Sequence, residues 1–214
     1  MKLSFIGLGV MGYPMAGFLA KAGYHVTVFN RTESKAKKWC EEFNGVFAIS
    51  PLEAARNADI IFTCVGNDDD VKQVILGPNG AIHGLKKNAI IVDHTTASSV
   101  LAEELDNNIT NAEGFFLDAP LSGGQAGAES GQLTIMVGGE ESTFSEASPV
   151  MNSYAKACTL IGGVGSGQKA KMVNQICIAG LVQGLAEGLH FAKREKLDIK
   201  AVINAISKGA AQSW

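Results

Sequence analysis

The feature that most constrains this chain lies at its very start. Leu3, Phe5 and Ile6 form a short apolar run, Gly7, Gly9 and Gly12 follow at the spacing G-x-G-x-x-G, and Met15, Phe18, Leu19 and Ala22 recur at helical intervals. A strand, a glycine turn and a helix in that order predict a dinucleotide-binding unit. Each glycine has its own task. Gly7 lets the strand turn sharply, Gly9 removes a side chain where a pyrophosphate must approach the backbone, and Gly12 lets helix and strand pack closely. With Leu8, Val10 and Met11 between them, the whole turn is expected to hold cofactor. The first helical N–H groups have no intrahelical partner and favour an anion, and for the same reason Pro14 is tolerated there.

The pattern beyond the turn predicts the rest of the domain. A second strand is expected at His25 to Phe29, followed by a helix capped by Thr32 and running to about Phe43. Further strands are expected at Val46 to Ile49 and over residues 59–65, 89–92, 115–117, 133–137 and 159–161, with helices opening at Ser50-Pro51, at Asn67 to Asp70, at Ser99 and at Glu140. Strands alternating with helices predict an α/β fold, a Rossmann-type doubly wound and mainly parallel sheet over residues 1–163. From Gln168 the strand signals cease and a helical pattern runs to about Glu195, so residues 164–214 read as the start of an all-helical second domain. Ile176, Gly180, Gly184, Gly188 and Ala192 recur every four residues and give that helix one small-residue stripe. One further helix, Leu197 to Lys208, is a meagre set of neighbours for it. The second domain is therefore expected to be incomplete, with a fragment or a homo-oligomer formed through the helical region as the two explanations.

Composition narrows the class of partner. The net charge is −3 over 214 residues and the basic side chains are dispersed, which gives no surface suited to nucleic acid. The apolar tract Met172 to Ala192 is interrupted by Asn174, Gln175, Gln183 and Glu187, so no membrane partner is expected. No basic, cleavable leader precedes the first strand. Cys40, Cys64, Cys158 and Cys177 show no metal-ligand spacing, and they read as reduced core thiols of a cytoplasmic protein that binds no metal.

Four stretches carry candidate chemistry. Asn30-Arg31-Thr32 stands where an NAD-specific site would hold a ribose-binding acid, and an arginine among neutral neighbours suits the 2′-phosphate of NADP. The plainer alternative makes Thr32 only a helix cap and Arg31 a solvated charge, which leaves NAD open. Ser122, Gly123 and Gly124 follow a strand and offer a hydroxyl and backbone N–H groups to a carboxylate, although a purely structural loop explains glycines equally well. Thr96 occupies a similar place after another strand, and the neighbouring His94 reads as a satisfied loop histidine. Lys171, Asn174 and Gln175, spaced i, i+3 and i+4, share one helix face. Hydride reduction of a carbonyl leaves negative charge on oxygen, and an ammonium group there can stabilise that charge and deliver a proton. Lys169 reads as a solvated charge.

Taken together, Gly7-Leu-Gly-Val-Met-Gly12 with Met15-Ala16, Asn30-Arg31-Thr32, Asp118-Ala-Pro-Leu-Ser-Gly-Gly124 and Gly165-Ser-Gly-Gln-Lys-Ala-Lys171-Met-Val-Asn-Gln175 resemble the β-hydroxyacid dehydrogenase family over essentially the whole chain. Its members include 3-hydroxyisobutyrate dehydrogenase, tartronate semialdehyde reductase and the glyoxylate/succinic semialdehyde reductases. The resemblance implies an NAD(P)-dependent oxidoreductase that interconverts a small β-hydroxyacid and its semialdehyde or keto acid. It makes Lys171 the general acid/base and gives Ser122, Gly123, Gly124 and Asn174 to a small carboxylic-acid substrate, with Gln175 beside Asn174 as a further candidate substrate contact. Val65, Gly66 and Thr96 are assigned to the nicotinamide side, with Asn67 beside them among the cofactor contacts. Gln175 departs from the family, some of whose members carry a second asparagine there. Family members also continue through more helices, so the chain looks C-terminally truncated, and the alternative is a non-catalytic NADP-binding module. Imine reductases share the architecture but generally replace the lysine, so Lys171 argues against that reading.

Overall fold

The structure is a computed structural model that describes residues 1–212; Ser213 and Trp214, the last of the expected second domain, lie outside the described residues. Its first strand, β1 (Lys2–Ile6), is buried from Leu3 to Ile6 and pairs in parallel with β2 (His25–Phe29) and β4 (Ile60–Thr63). β3 (Val46–Phe47) extends the sheet beyond β2, while β5 (Ile90–Asp93) and β6 (Phe115–Asp118) extend it beyond β4, all in parallel. Then the direction reverses. β8 (Leu133–Gly138) runs antiparallel to β6 and to the short β7 (Leu121–Ser122), and β9 (Ala155–Gly162) pairs in parallel with β8.

The connecting helices cover both faces, which is why the parallel strands read as nearly continuous apolar runs. Phe5, Ile60, Phe62, Ile90 and Val92 face one core with Met15, Leu19 and Trp39. Ile6, Ile61, Ile91 and Phe116 face the other with Val71, Ile75, Leu101 and Leu105. The period-2 alternation of side chains along each strand divides the residues this way.

Helix starts follow the caps that the sequence offers. Ser50, Asn67 and Ser98 accept from the backbone N–H groups of Glu53, Asp70 and Leu101 at 3.2, 2.9 and 3.1 Å. These open α3 (Pro51–Ala55), α4 (Asp68–Ile75) and α5 (Ser99–Asn111). Thr32 is different. It stands at the N-cap of α2 (Glu33–Phe43), but its side chain makes no capping bond, so the hydroxyl is not committed to the helix.

Other expectations need correcting. The strand at Val46 ends at Phe47, not Ile49. The stretch after β6 is not an open loop: Leu121 and Ser122 pair with Ile135 and Thr134, and Gly124–Glu129 form α6. Of the four cysteines, Cys40, Cys64 and Cys158 are partly buried against the core, whereas Cys177 is exposed on a helix surface.

α7 (Glu141–Met151) and β9 lead into α8 (Ser166–Arg194), which is followed by α9 (Ile199–Ile206). The chain divides into two compact units, Met1–Lys171 and Met172–Trp214, so the start of α8 belongs to the first unit. The division lies later than the residue 163/164 boundary expected from the end of the strand pattern, because Gly165 and Gln168 are tied to β6. In the second unit α9 buries no residue, and a Cβ built on Gly180, Gly184 or Gly188 would meet nothing within 4 Å. By length and composition alone α8 is apolar enough to cross a membrane, with a mean hydropathy of 1.2 over its most apolar window and none of that window buried. The four interrupting polar residues therefore do not exclude a span on those two criteria, as the sequence reading had them do. Length and composition do not separate such a span from a helix that packs against protein.

Candidate active site

Strand register builds the site. Phe29, Ile6, Thr63, Asp93 and Asp118 are successive partners at the carboxyl ends of β2, β1, β4, β5 and β6. The segments carrying Asn30, Gly7, Val65, Thr96 and Ser122 therefore all leave the same edge of the sheet, where ligands of doubly wound folds bind. The single Asp118↔Gly138 pairing places β7, with Ser122, beyond that edge as a continuation of β6.

At the β1 end of the edge lies a cleft of about 640 Å³, lined by Gly7, Gly9, Val10, Met11, Asn30, Arg31, Thr32, Val65 and Gly66 among others. The glycine turn explains its shape. A Cβ on Gly7 would lie 2.2 Å from the Cys64 carbonyl oxygen, and one on Gly12 would lie 1.9 Å from that of Gly7. Those two glycines are required by the protein's own packing. A Cβ on Gly9 would meet nothing within 4 Å, so its missing side chain leaves space in the cleft itself. That space, beside the first turn of α1 (Gly12–Lys21), fits a dinucleotide pyrophosphate. Asn30 shapes the turn from below: its Oδ1 accepts from the Leu8 N–H at 2.9 Å and its Nδ2 donates to the Thr32 carbonyl at 3.0 Å.

A second set of groups binds the middle of the edge to the start of α8. Asp118 is fully buried, and its carboxylate accepts from the N–H groups of Gly165 at 2.7 Å and Gln168 at 2.8 Å. Gln168, 1% exposed, donates from Nε2 to the Thr95 carbonyl at 2.7 Å and accepts at Oε1 from the Ala97 N–H at 3.1 Å. Thr95 in turn accepts at Oγ1 from the Val65 N–H at 3.1 Å, while Asp93 accepts from the Thr63 hydroxyl at 2.6 Å and the Thr95 N–H at 3.1 Å. One hydrogen-bonded web thus fixes the Val65 turn, the Thr95–Ala97 segment and the helix start that carries Lys171.

Burial sets the electrostatics of this web. It pushes the Asp93 carboxyl up to about 6 against its hydrogen bonds, which pull the other way. Asp118 is raised for the same reason, and the Cys64 thiol is pushed up to about 12 by burial, with Asp93 adding to the shift. Partial burial lowers the Lys171 ammonium below the ordinary lysine value. His94 is satisfied, as expected: Nδ1 lies 2.7 Å from the Ala119 carbonyl oxygen, Nε2 lies 2.9 Å from the Tyr154 hydroxyl, and burial holds the imidazole down at about 4.

Not every predicted residue reaches the cleft. The Leu8 side chain is buried in the core, Gly12 is packed under the turn, and Asn67 spends its side chain capping α4. Thr96 is exposed on its segment, and Ser122, Gly123 and Gly124 stand on β7 and the α6 start, with Gly123 and Gly124 at positive φ of 128° and 59°. Asn174 and Gln175 belong to the second unit, where the Asn174 amide donates to Gln175 Oε1 at 3.0 Å. Sequence reasoning missed Gln168, Asp70 and Lys35, since a glutamine, an acid in an acidic cap and one lysine among several carry no distinguishing pattern.

The fold and the glycine cleft define a dinucleotide-binding framework, and comparison with known proteins agrees. The NAD binding domain of 6-phosphogluconate dehydrogenase matches residues 2–163, and the NAD-binding segment of NADP-dependent 3-hydroxyisobutyrate dehydrogenase matches residues 165–214. The chain belongs to the β-hydroxyacid dehydrogenase family of NAD(P)-dependent enzymes. It is 59% identical to an uncharacterized oxidoreductase of Shewanella frigidimarina, over 100% of this chain and 73% of that protein. It is 38% identical to the 2-hydroxy-3-oxopropionate reductase of Escherichia coli, over 100% of this chain and 72% of that enzyme. Among solved structures, the 3-hydroxyisobutyrate dehydrogenase of Mycobacterium tuberculosis with L-serine superposes with a TM-score of 0.91 at 29% identity, covering 100% of this chain and 72% of that one.

Proposed function

We propose that this chain interconverts a small β-hydroxyacid and its semialdehyde or keto acid, with Lys171 as the general acid/base. The observation that carries this is the clasp of Asp118 and Gln168, which holds the helix start bearing Lys171 onto the carboxyl edge of the sheet. When bound, the nicotinamide supplies or accepts the hydride. In the reducing direction the Lys171 ammonium donates its proton to the carbonyl oxygen as negative charge develops there; in the oxidising direction the neutral amine takes the hydroxyl proton. Desolvation lowers the lysine and so favours that neutral form, which helps the oxidation. Ser122 and the N–H groups of Gly123 and Gly124 are assigned to the substrate carboxylate. The E. coli relative's substrate and the L-serine of the mycobacterial complex are both small acids bearing a β-oxygen function, which supports that substrate class.

The test is nicotinamide absorbance with NADPH and NADH against glyoxylate and the succinic, methylmalonic and tartronic semialdehydes. Turnover that falls at least 10³-fold in Lys171→Ala, a loss on the scale of general acid/base catalysis, while cofactor binding persists, is the expected result. Turnover unchanged by that substitution would refute the role of Lys171. A second reading, a cofactor-binding module without catalysis, rests on the glycine cleft, whose lining residues all belong to the first unit. It predicts saturable NADPH binding with no hydride transfer to any of these acids.

A further inference from the structure

The cleft holds a charge that the sequence pattern did not assign to it. Arg31, at the end of β2, and Asp70, in the first turn of α4, both line the cleft, and the Arg31 Nη1 lies 3.3 Å from Asp70 Oδ1. The Arg31 side chain is otherwise solvated, 89% exposed, so Asp70 is its anchor within the protein. Three acids open α4, but they are not equivalent. Asp68 is spent on the N–H and hydroxyl of Ser98 at 3.0 and 2.5 Å, and Asp69 is exposed and does not line the cleft. Asp70 alone of the three does, packed so closely over Gly66 that a Cβ there would lie 2.5 Å from Asp70 Oδ2. It does not cap the helix through its side chain, since Asn67 does that.

We propose that Asp70 is a specificity-determining residue that sets the choice between NADP and NAD by competing for Arg31; this rests on the cofactor reading above. The end of β2 lacks the acid that would bind a ribose 2′-hydroxyl, and α4 supplies one from across the cleft. A 2′-phosphate gains Arg31 only by displacing the Asp70 carboxylate, and it then lies near that negative charge. A 2′-hydroxyl carries no charge, leaves the ion pair in place and can donate a hydrogen bond to a carboxylate. Lys35, which also lines the cleft, remains available to a phosphate in either case.

The experiment is direct titration of the chain and of Asp70→Asn with NADPH and with NADH, followed by nicotinamide fluorescence at low and high salt. Arg31→Leu is titrated alongside, and thermal melts establish that each variant is folded. Because an exposed ion pair is weak, Asp70→Asn should tighten NADPH by about 2- to 5-fold at low salt, and less at high salt. NADH should bind no more tightly than before. Arg31→Leu should weaken NADPH selectively and shrink the effect of adding Asp70→Asn. Equal changes for both nucleotides, or weaker NADPH binding in Asp70→Asn, would overturn the proposal while leaving the cofactor reading intact. Failure of both nucleotides to bind the unaltered chain would overturn the cofactor reading and this proposal with it.

Discussion

Single residues here matter through what surrounds them. Lys171 illustrates this: its partial burial lowers the ammonium, so the rate of hydroxyacid oxidation should rise with pH to a midpoint below the ordinary lysine value of about 10.4. A midpoint at or above that value would show that the titrating group is not this lysine. Asp93 and His94, adjacent and both buried, act in opposite senses on stability. Asp93 has a folded pKa raised to about 6, so the folded chain holds the extra proton and stability grows as pH falls from about 6 towards 4. His94, held down at about 4, must shed its proton to stay folded, so stability is lost over nearly the same window. The two contributions therefore oppose each other. Asp93→Asn removes one side of that balance. Its melting temperature should drop more steeply between pH 7 and pH 5 than that of the unaltered chain; an equal or shallower drop would mean that Asp93 is ionised throughout.

Elements are positioned by close approaches that only glycine permits. A Cβ on Gly167 would lie 2.5 Å from the backbone carbonyl oxygens of both Asp118 and Met136, so Gly167→Ala must push the start of α8 away from the strands. The expected cost is about 1–3 kcal/mol, with a loss of turnover as Lys171 shifts. Gly180 lies in the same helix, yet a Cβ there meets nothing. Gly180→Ala should therefore stabilise the helix by about 0.5–1 kcal/mol. Thermal denaturation of both variants checks the opposite signs, and a destabilising Gly180→Ala would show that another chain covers the small-residue stripe. The strand and helix periods were legible in the sequence because both faces of the sheet are covered, which keeps the apolar runs long. β7 and α6 were not legible: a two-residue strand and a six-residue helix are too short to show a period, and β7 is defined only by its pairing with β8.

Across the molecule, the two units differ in how their stability arises. The first encloses two cores on either side of its sheet, whereas in the second α9 buries nothing and Val173, Ile176, Val182, Leu185 and Ile203 are exposed. Amide exchange should be slow in β1, β4 and β5 and faster by orders of magnitude over residues 199–206 at low protein concentration. Raising the concentration should slow exchange in the second unit and raise the sedimentation coefficient if this face self-associates, one of the two explanations that the helical pattern offers. Concentration-independent exchange and a monomer's sedimentation would refute self-association.

By itself the sequence determined the nucleotide turn and the alternation of strand and helix, because each depends on local spacing or on a short motif; Lys171 it offered only as a candidate. Only the tertiary structure decided that Asp118 and Gln168, fifty residues apart, clasp the start of α8, and that Asp70 faces Arg31 across the cleft. Those pairings are made by strand register and sheet order. Local propensity carries no record of which carboxylate a parallel sheet will bring beside which cation.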